Sequence, residues 1–239
     1  MTAPSPLAPL GLIVPPANGE VPYDGAILYP GTRFIARGLG LPTVSPEGYD
    51  QVIDAVTQVA KQLADDGAAA ISLMGTSLSF YRGVAFNQHL LEAMHAATGL
   101  PCTTMSQAVL NGLAALGVRR VVIATAYIDD VNQRLATFLT DSGYHVNGVR
   151  GLAMTDINAI QALGTATLVD LCHQAWDAFG PADAIVLSCG GLKTLATINE
   201  VEQALGVPVV SSSPSGFWDL MRTAGRDSHA PGHGRLVGL

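Results

Sequence analysis

The sequence predicts an α/β fold of two similar lobes, each a short parallel sheet flanked by helices, with an active site in the cleft between them. Three observations lead there. Short apolar, β-branched runs alternate with longer stretches of helical periodicity. Several of the runs, such as 10–14 and 184–188, are apolar nearly throughout, as strands covered on both faces are. The second half of the chain repeats the plan of the first.

The runs are residues 10–14, 69–73, 101–104, 120–125, 145–149, 184–188 and 207–211, each near Gly, Pro or a hydroxyl cluster. Between the first two, Ser45-Pro46-Glu47 opens a helix, with Ser as N-cap and Pro in the first turn. Its apolar positions Val52, Ile53, Val56, Val59, Ala60 and Leu63 keep helical spacing, and Gly67 closes it. Before the sixth run, Leu168, Leu171, Cys172, Ala175 and Phe179 mark another buried helix face. Connections between successive parallel strands are expected to be right-handed.

The repeat aligns residues 70–78 (AISLMGTSL) with 184–192 (AIVLSCGGL), and 99–106 (GLPCTTMS) with 206–213 (GVPVVSSS). Upstream, 11–16 (GLIVPP) resembles 121–126 (VVIATA). The expected division is 1–116 for the first lobe and 117–213 for the second. A helix at 214–226 is expected to pack back on the first lobe, and 227–239 to form a flexible tail. Ligands in such folds sit at the carboxyl ends of the strands. That places Pro15-Pro16, Gly75-Thr76-Ser77, Tyr127, Cys189-Gly190 and Ser211-Ser212-Ser213 at the cleft.

Composition narrows the function. Twelve Lys and Arg against 19 Asp and Glu give a net charge of −7, and only 13% of residues are charged. Phosphate backbones are bound by clustered Lys and Arg, so nucleic acid is not an expected partner. With 49% hydrophobic residues the chain can bury a large core. The longest apolar stretches are too short to span a membrane. The first residues have neither the early positive charge nor the unbroken apolar run of a secretory signal, so a cytoplasmic location is expected. A monomer acting on a small molecule is the favoured reading.

Three cysteines at wide spacing make neither a disulfide framework nor a structural zinc site. Cys172 lies on an apolar helix face and Cys102 inside a strand, both suited to a core. Cys189 differs: it follows a strand and precedes Gly190-Gly191, at an expected helix start. Backbone N–H groups there can bind an anion, although a buried structural cysteine would look the same. Thr76 and Ser77 could hold a carboxylate or merely cap the next segment. Tyr127 could donate to an anion or be a half-buried core tyrosine. Gly38-Leu39-Gly40 follows no evident strand and has Thr43 where a dinucleotide fingerprint needs Gly. Phosphate-loop, nucleophile-elbow and zinc-protease motifs are missing. His229 and His233 lie in a Gly/Pro-rich stretch ill suited to a metal, and no metal site is expected.

Together these positions resemble the arylmalonate decarboxylase family of the aspartate/glutamate racemase superfamily. The likeness is strongest in 72–83 (SLMGTSLSFYRG), 124–131 (ATAYIDDV) and 187–192 (LSCGGL), and runs from Ile13 to Trp218. Superfamily racemases carry one cysteine at the strand end of each half. Here the second half has Cys189 and the first has Gly75. The resemblance therefore implies decarboxylation of an α-aryl, α-alkyl malonate with no cofactor, followed by protonation on one face by Cys189. It implies a carboxylate held by Thr76, Ser77, Tyr127 and the Gly190 N–H, which stabilise the enediolate like an oxyanion hole. It also implies an apolar pocket of Pro15, Leu41, Val44, Leu78, Ile157 and Ile160 for the departing carboxylate, and an aryl-side loop of Gly75 and Pro16. The product would be a single hand of an α-aryl propionate. Rival readings are a maleate isomerase or amino-acid racemase of the same superfamily, both wanting a thiol near position 75, and a non-catalytic carboxylate-binding protein.

Overall fold

The computed structural model describes residues 7–239. The first half runs β1 (Leu10–Val14), α1 (Tyr23–Leu28), β2 (Phe34–Gly38), α2 (Pro46–Val52), α3 (Val56–Asp65), β3 (Ile71–Leu73), α4 (Thr76–Phe80), α5 (Val84–Thr98), β4 (Cys102–Thr104) and α6 (Met105–Ala115). The second half runs β5 (Arg120–Thr125), α7 (Asp129–Asp141), β6 (His145–Gly151), α8 (Ile157–Gln161), α9 (Thr165–Phe179), β7 (Ala184–Ser188), α10 (Leu195–Leu205), β8 (Val209–Ser211) and α11 (Ser212–Thr223). Each half forms one parallel four-stranded sheet, in the orders β2-β1-β3-β4 and β6-β5-β7-β8. The two orders are the same order, so the internal repeat is a repeat of topology.

Strand pairing sharpens the alignment. Ile71 registers with Gly11 and Cys102, and Ile185 with Val122 and Val209. Gly11 is therefore equivalent to Val122, one residue on from the sequence match to Val121. Both strands are apolar on both faces, so sequence carries little penalty for a one-residue slip. The corrected register makes Pro16 the equivalent of Tyr127.

Helices α3 and α5 pack together and onto the first sheet, and α9 with α10 onto the second. Helices α6 and α11, which follow the last strand of each half, pack on one another. Helix α11 also touches β4 and α1 of the first half. The approach to α1 is close: a Cβ on Gly25 would lie 2.5 Å from the Phe217 ring. Only glycine leaves that space.

Four expectations need correcting. Strand β2 has no counterpart among the expected runs. Its sequence, FIARG, includes Arg37 at a half-exposed sheet edge, where Arg37 pairs with Asp66. Gly38-Leu39-Gly40 thus does follow a strand. The helix expected from Ser45 to Gly67 does start where predicted, with the Gly48 N–H donating to Ser45 Oγ at 3.3 Å. It then divides at a short 3₁₀ turn, Ile53–Ala55, through which Val52, Ile53 and Val56 all stay buried. Residues 227–239 do not form a loose tail: Ala230, Leu236 and Val237 are buried, and the Ala230 N–H donates to the Val237 carbonyl. Leu236 and Val237 supply apolar surface that the surrounding Gly and Pro residues masked. Lastly, no helix begins at Gly190; the turn after Cys189 continues to Thr194, and α10 starts at Leu195.

Candidate active site

Parallel sheets present their strand ends on one side, and in this chain the ends of both sheets face a shared cavity of about 360 Å³. The end of β1 gives Pro15 and Pro16, the end of β3 gives Gly75, Thr76 and Ser77, and the end of β7 gives Cys189, Gly190 and Gly191. The apolar wall comes from both halves, with Leu41 and Val44 from the first and Ile157 and Ile160 from the second. One backbone hydrogen bond joins these two loops, from the Val44 N–H to the Thr155 carbonyl at 3.0 Å.

The turn after β3 is held from beneath. Ser79 Oγ donates to the carbonyls of Gly75 and Thr76, and Ser106 Oγ donates to the Thr76 carbonyl at 2.9 Å. Thr76 Oγ1 contacts Met105 Sδ at 2.9 Å. Ser77 has no such internal tie and faces the cavity. Gly75 is the close-packed point of the turn. A Cβ added there would meet Leu78 Cδ1 at 2.8 Å and Pro15 Cγ at 3.2 Å.

Cys189 is 5% exposed, and what it exposes is the cavity side. Burial pushes its thiol up to about 11, against smaller opposing contributions from the Gly191 N–H and the Tyr127 hydroxyl. The thiol is therefore protonated at neutral pH. The helix start expected to lower this value lies five residues further on, at Thr194–Leu195, so its field is spent elsewhere. Cys172 is buried, as expected for a core cysteine, while Cys102 is half-buried on the edge strand β4.

Two expected site residues do not line the cavity. Leu78 is fully buried behind Gly75. Tyr127 is 1% exposed, with its hydroxyl 3.3 Å from Ser188 Oγ and facing both Thr76 and Cys189. Desolvation raises its phenol well above the ordinary range, so it stays a hydrogen-bond donor. Ser188 in turn accepts from Ser212 Oγ at 3.3 Å. The cavity floor is thus a chain of hydroxyls under the thiol.

Sequence reading missed three groups, Tyr49, Asp24 and Lys193. Tyr49, on α2, is fully buried with its hydroxyl unpartnered, and its electrostatic neighbours include Ser77 and Cys189. Asp24 on α1, Ser213 on α11 and Lys193 after β7 line the cavity on another side. Burial lifts the Asp24 carboxyl to about 6, with Ser213 and Lys193 acting in the opposite sense. Of the expected Ser211–Ser213 cluster, Ser213 reaches the cavity, while Ser211 and Ser212 do not line it. Asp24 sits in a short helix with no periodic pattern to announce it.

Residues 10–237 match the family model described as arylmalonate decarboxylase. The chain is 63% identical to arylmalonate decarboxylase of Bordetella bronchiseptica over 95% of both chains. It is 26% identical to maleate isomerase of Nocardia farcinica, over 95% of this chain and 94% of that one. Among solved structures, it matches a double mutant of arylmalonate decarboxylase in the liganded form, in which a glycine became cysteine and a cysteine became serine. That match has a TM-score of 0.95 at 61% identity and covers 96% of this chain and 98% of the other. Among the described residues, no helix is long and apolar enough to cross a membrane.

Proposed function

The chain belongs to the arylmalonate decarboxylase family, and on that premise we propose that it is a carboxy-lyase that removes CO₂ from α-aryl malonates and protonates the product on one face. The observation that carries the reading is the pair of strand ends, with a protonated thiol at Cys189 and only a hydrogen at Gly75. Decarboxylation needs no base, because the departing CO₂ leaves its bonding electrons on the α-carbon. One acid then completes the reaction.

In this reading one malonate carboxylate is held by the Thr76 and Ser77 hydroxyls and the Gly190 N–H. Tyr127 supports Thr76 and the thiol from beneath. The other carboxylate faces Pro15, Leu41, Val44, Ile157 and Ile160, with Leu78 backing the wall. Apolar surroundings disfavour a localised charge and favour neutral CO₂. As the C–C bond breaks, the electron pair delocalises into the held carboxylate as an enediolate. Each donor placed for that charge is worth about 2.7–4 kcal/mol by comparison with oxyanion holes. The Cys189 S–H then transfers its proton to the α-carbon, and the resulting thiolate regains a proton from water. The aryl ring lies along Gly75 and Pro16.

The two halves, 1–116 and 117–213, act as the two walls of the site in this reading. CO₂ release from phenylmalonate without added cofactor tests it, with chiral analysis of the product from an α-alkyl substrate. A single product hand supports the reading. Absence of CO₂ release, or isomerisation of maleate in its place, overturns it.

A further inference from the structure

One end of the cavity is polar and is not used by the chemistry above. Asp24 and Ser213 line it together, from α1 and α11, where the close packing of Gly25 on Phe217 brings the two helices into contact. Both residues are only 2% exposed. Ser213 lies near enough to Asp24 to favour its charged form, yet neither Asp24 Oδ1 nor Ser213 Oγ makes a hydrogen bond of normal geometry. Buried polar atoms in native proteins are nearly always paired, so two orphans side by side in a cavity wall await a ligand group. Their chemistry specifies that group. Asp24, faced by the Lys193 cation, is mostly ionised at neutral pH and can only accept. It repels a carboxylate, which keeps the malonate end of the substrate away and leaves the ring as the part that reaches it.

Resting on the decarboxylase reading, we propose that Asp24 and Ser213 form a subsite for a hydrogen-bond donor on the substrate's aryl ring. Hydroxyaryl and aminoaryl malonates are then the preferred substrates. Pro15, Pro16 and the stretch from Glu20 to Asp24 line the same cavity, which leaves room for a ring along Pro16 to turn its far edge toward Asp24.

The test compares kcat/KM for phenylmalonate, 3- and 4-hydroxyphenylmalonate and 4-methoxyphenylmalonate in the wild-type enzyme and in Asp24→Asn, Asp24→Ala and Ser213→Ala. At least one hydroxylated ring is preferred over phenyl by about tenfold or more, the scale of a hydrogen bond to a charged acceptor. The methoxy ring, which has no donor, does not share the preference. The ratio falls toward one in Asp24→Ala and is intermediate in Asp24→Asn and Ser213→Ala. A ratio is used because general damage to the fold lowers both substrates alike. Decarboxylation of all four rings without preference in the wild-type enzyme overturns this inference alone, as does an unchanged ratio in Asp24→Ala. Failure to release CO₂ from any of them overturns the functional reading and the inference with it.

Discussion

Gly75 and Cys189 occupy equivalent positions in the two sheets: each lies four residues past the isoleucine, Ile71 or Ile185, that registers on its half's central strand. The cavity between them has a thiol on one side and none on the other. Gly75→Cys supplies the second. The new Cβ would lie 2.8 Å from Leu78 Cδ1, 3.3 Å from Leu78 Cβ and 3.2 Å from Pro15 Cγ, so a small shift of the Leu78 side chain should admit it. With thiols on both faces, the enantiomeric excess of the product should collapse and the isolated product should racemise. Retention of the wild-type excess in a folded Gly75→Cys enzyme would count against two-faced access to the α-carbon.

Cys189→Ala removes the acid. Product formation should fall by about 10²–10⁴-fold, the usual worth of a positioned proton donor. Any residual product should be racemic, since solvent then protonates both faces. Near-normal rates with chirality intact would show that the proton comes from elsewhere.

The thiol must keep its proton to act, and burial holds it near 11. A dianionic substrate alongside raises it further. Activity should therefore be level from pH 7 to pH 10 and decline only as pH passes the thiol's own value. A decline centred near the ordinary cysteine value of about 8.5 would mean that the thiol is far better solvated than its burial implies.

Asp24 makes a separate pH statement about stability. Its folded value, about 6, lies above the ordinary 3.8. The folded state therefore holds the proton more tightly than the unfolded one. Stability is lost as pH rises from about 4 to about 6, by up to about 3 kcal/mol. Asp24→Asn should remove that slope and gain on the wild-type protein at pH 7 relative to pH 4. Urea midpoints at the two pH values decide it: parallel shifts in both proteins would place the burial cost elsewhere.

Lys193 is the one cation lining the cavity among the described residues, and it is exposed. It should help draw in a doubly charged substrate. Lys193→Met should lower kcat/KM about three- to tenfold at low salt, mostly through KM. The difference should shrink as salt screens the wild-type enzyme. Equal salt dependence in the two proteins would remove Lys193 from substrate capture.

The parts of the site that were legible in sequence are the ones carried by strand ends. Cys189-Gly190 and Gly75-Thr76-Ser77 stand where apolar runs stop, and the repeat sets one against the other. Leu41, Val44, Ile157 and Ile160 came from family resemblance, as did Leu78, which backs the wall instead of facing the cavity. Asp24, Lys193 and Tyr49 were not legible, because each depends on a packing event between distant segments. Asp24 reaches the cavity only because α1 settles on α11. Strand β2 escaped notice because an edge strand that carries an Arg lacks the apolar signature of its neighbour β1.

Helices α6 and α11 are the same element in the two halves, and they pack on each other, as matching faces do in a twofold dimer. True dimers of identical subunits obey a parity rule: a residue at a symmetric site is present twice or not at all. Such an assembly could hold two opposed thiols or none. Fusing both halves into one polypeptide lifts that rule. Lone acids, and hence a handed product, become possible only once the two halves are free to differ in sequence.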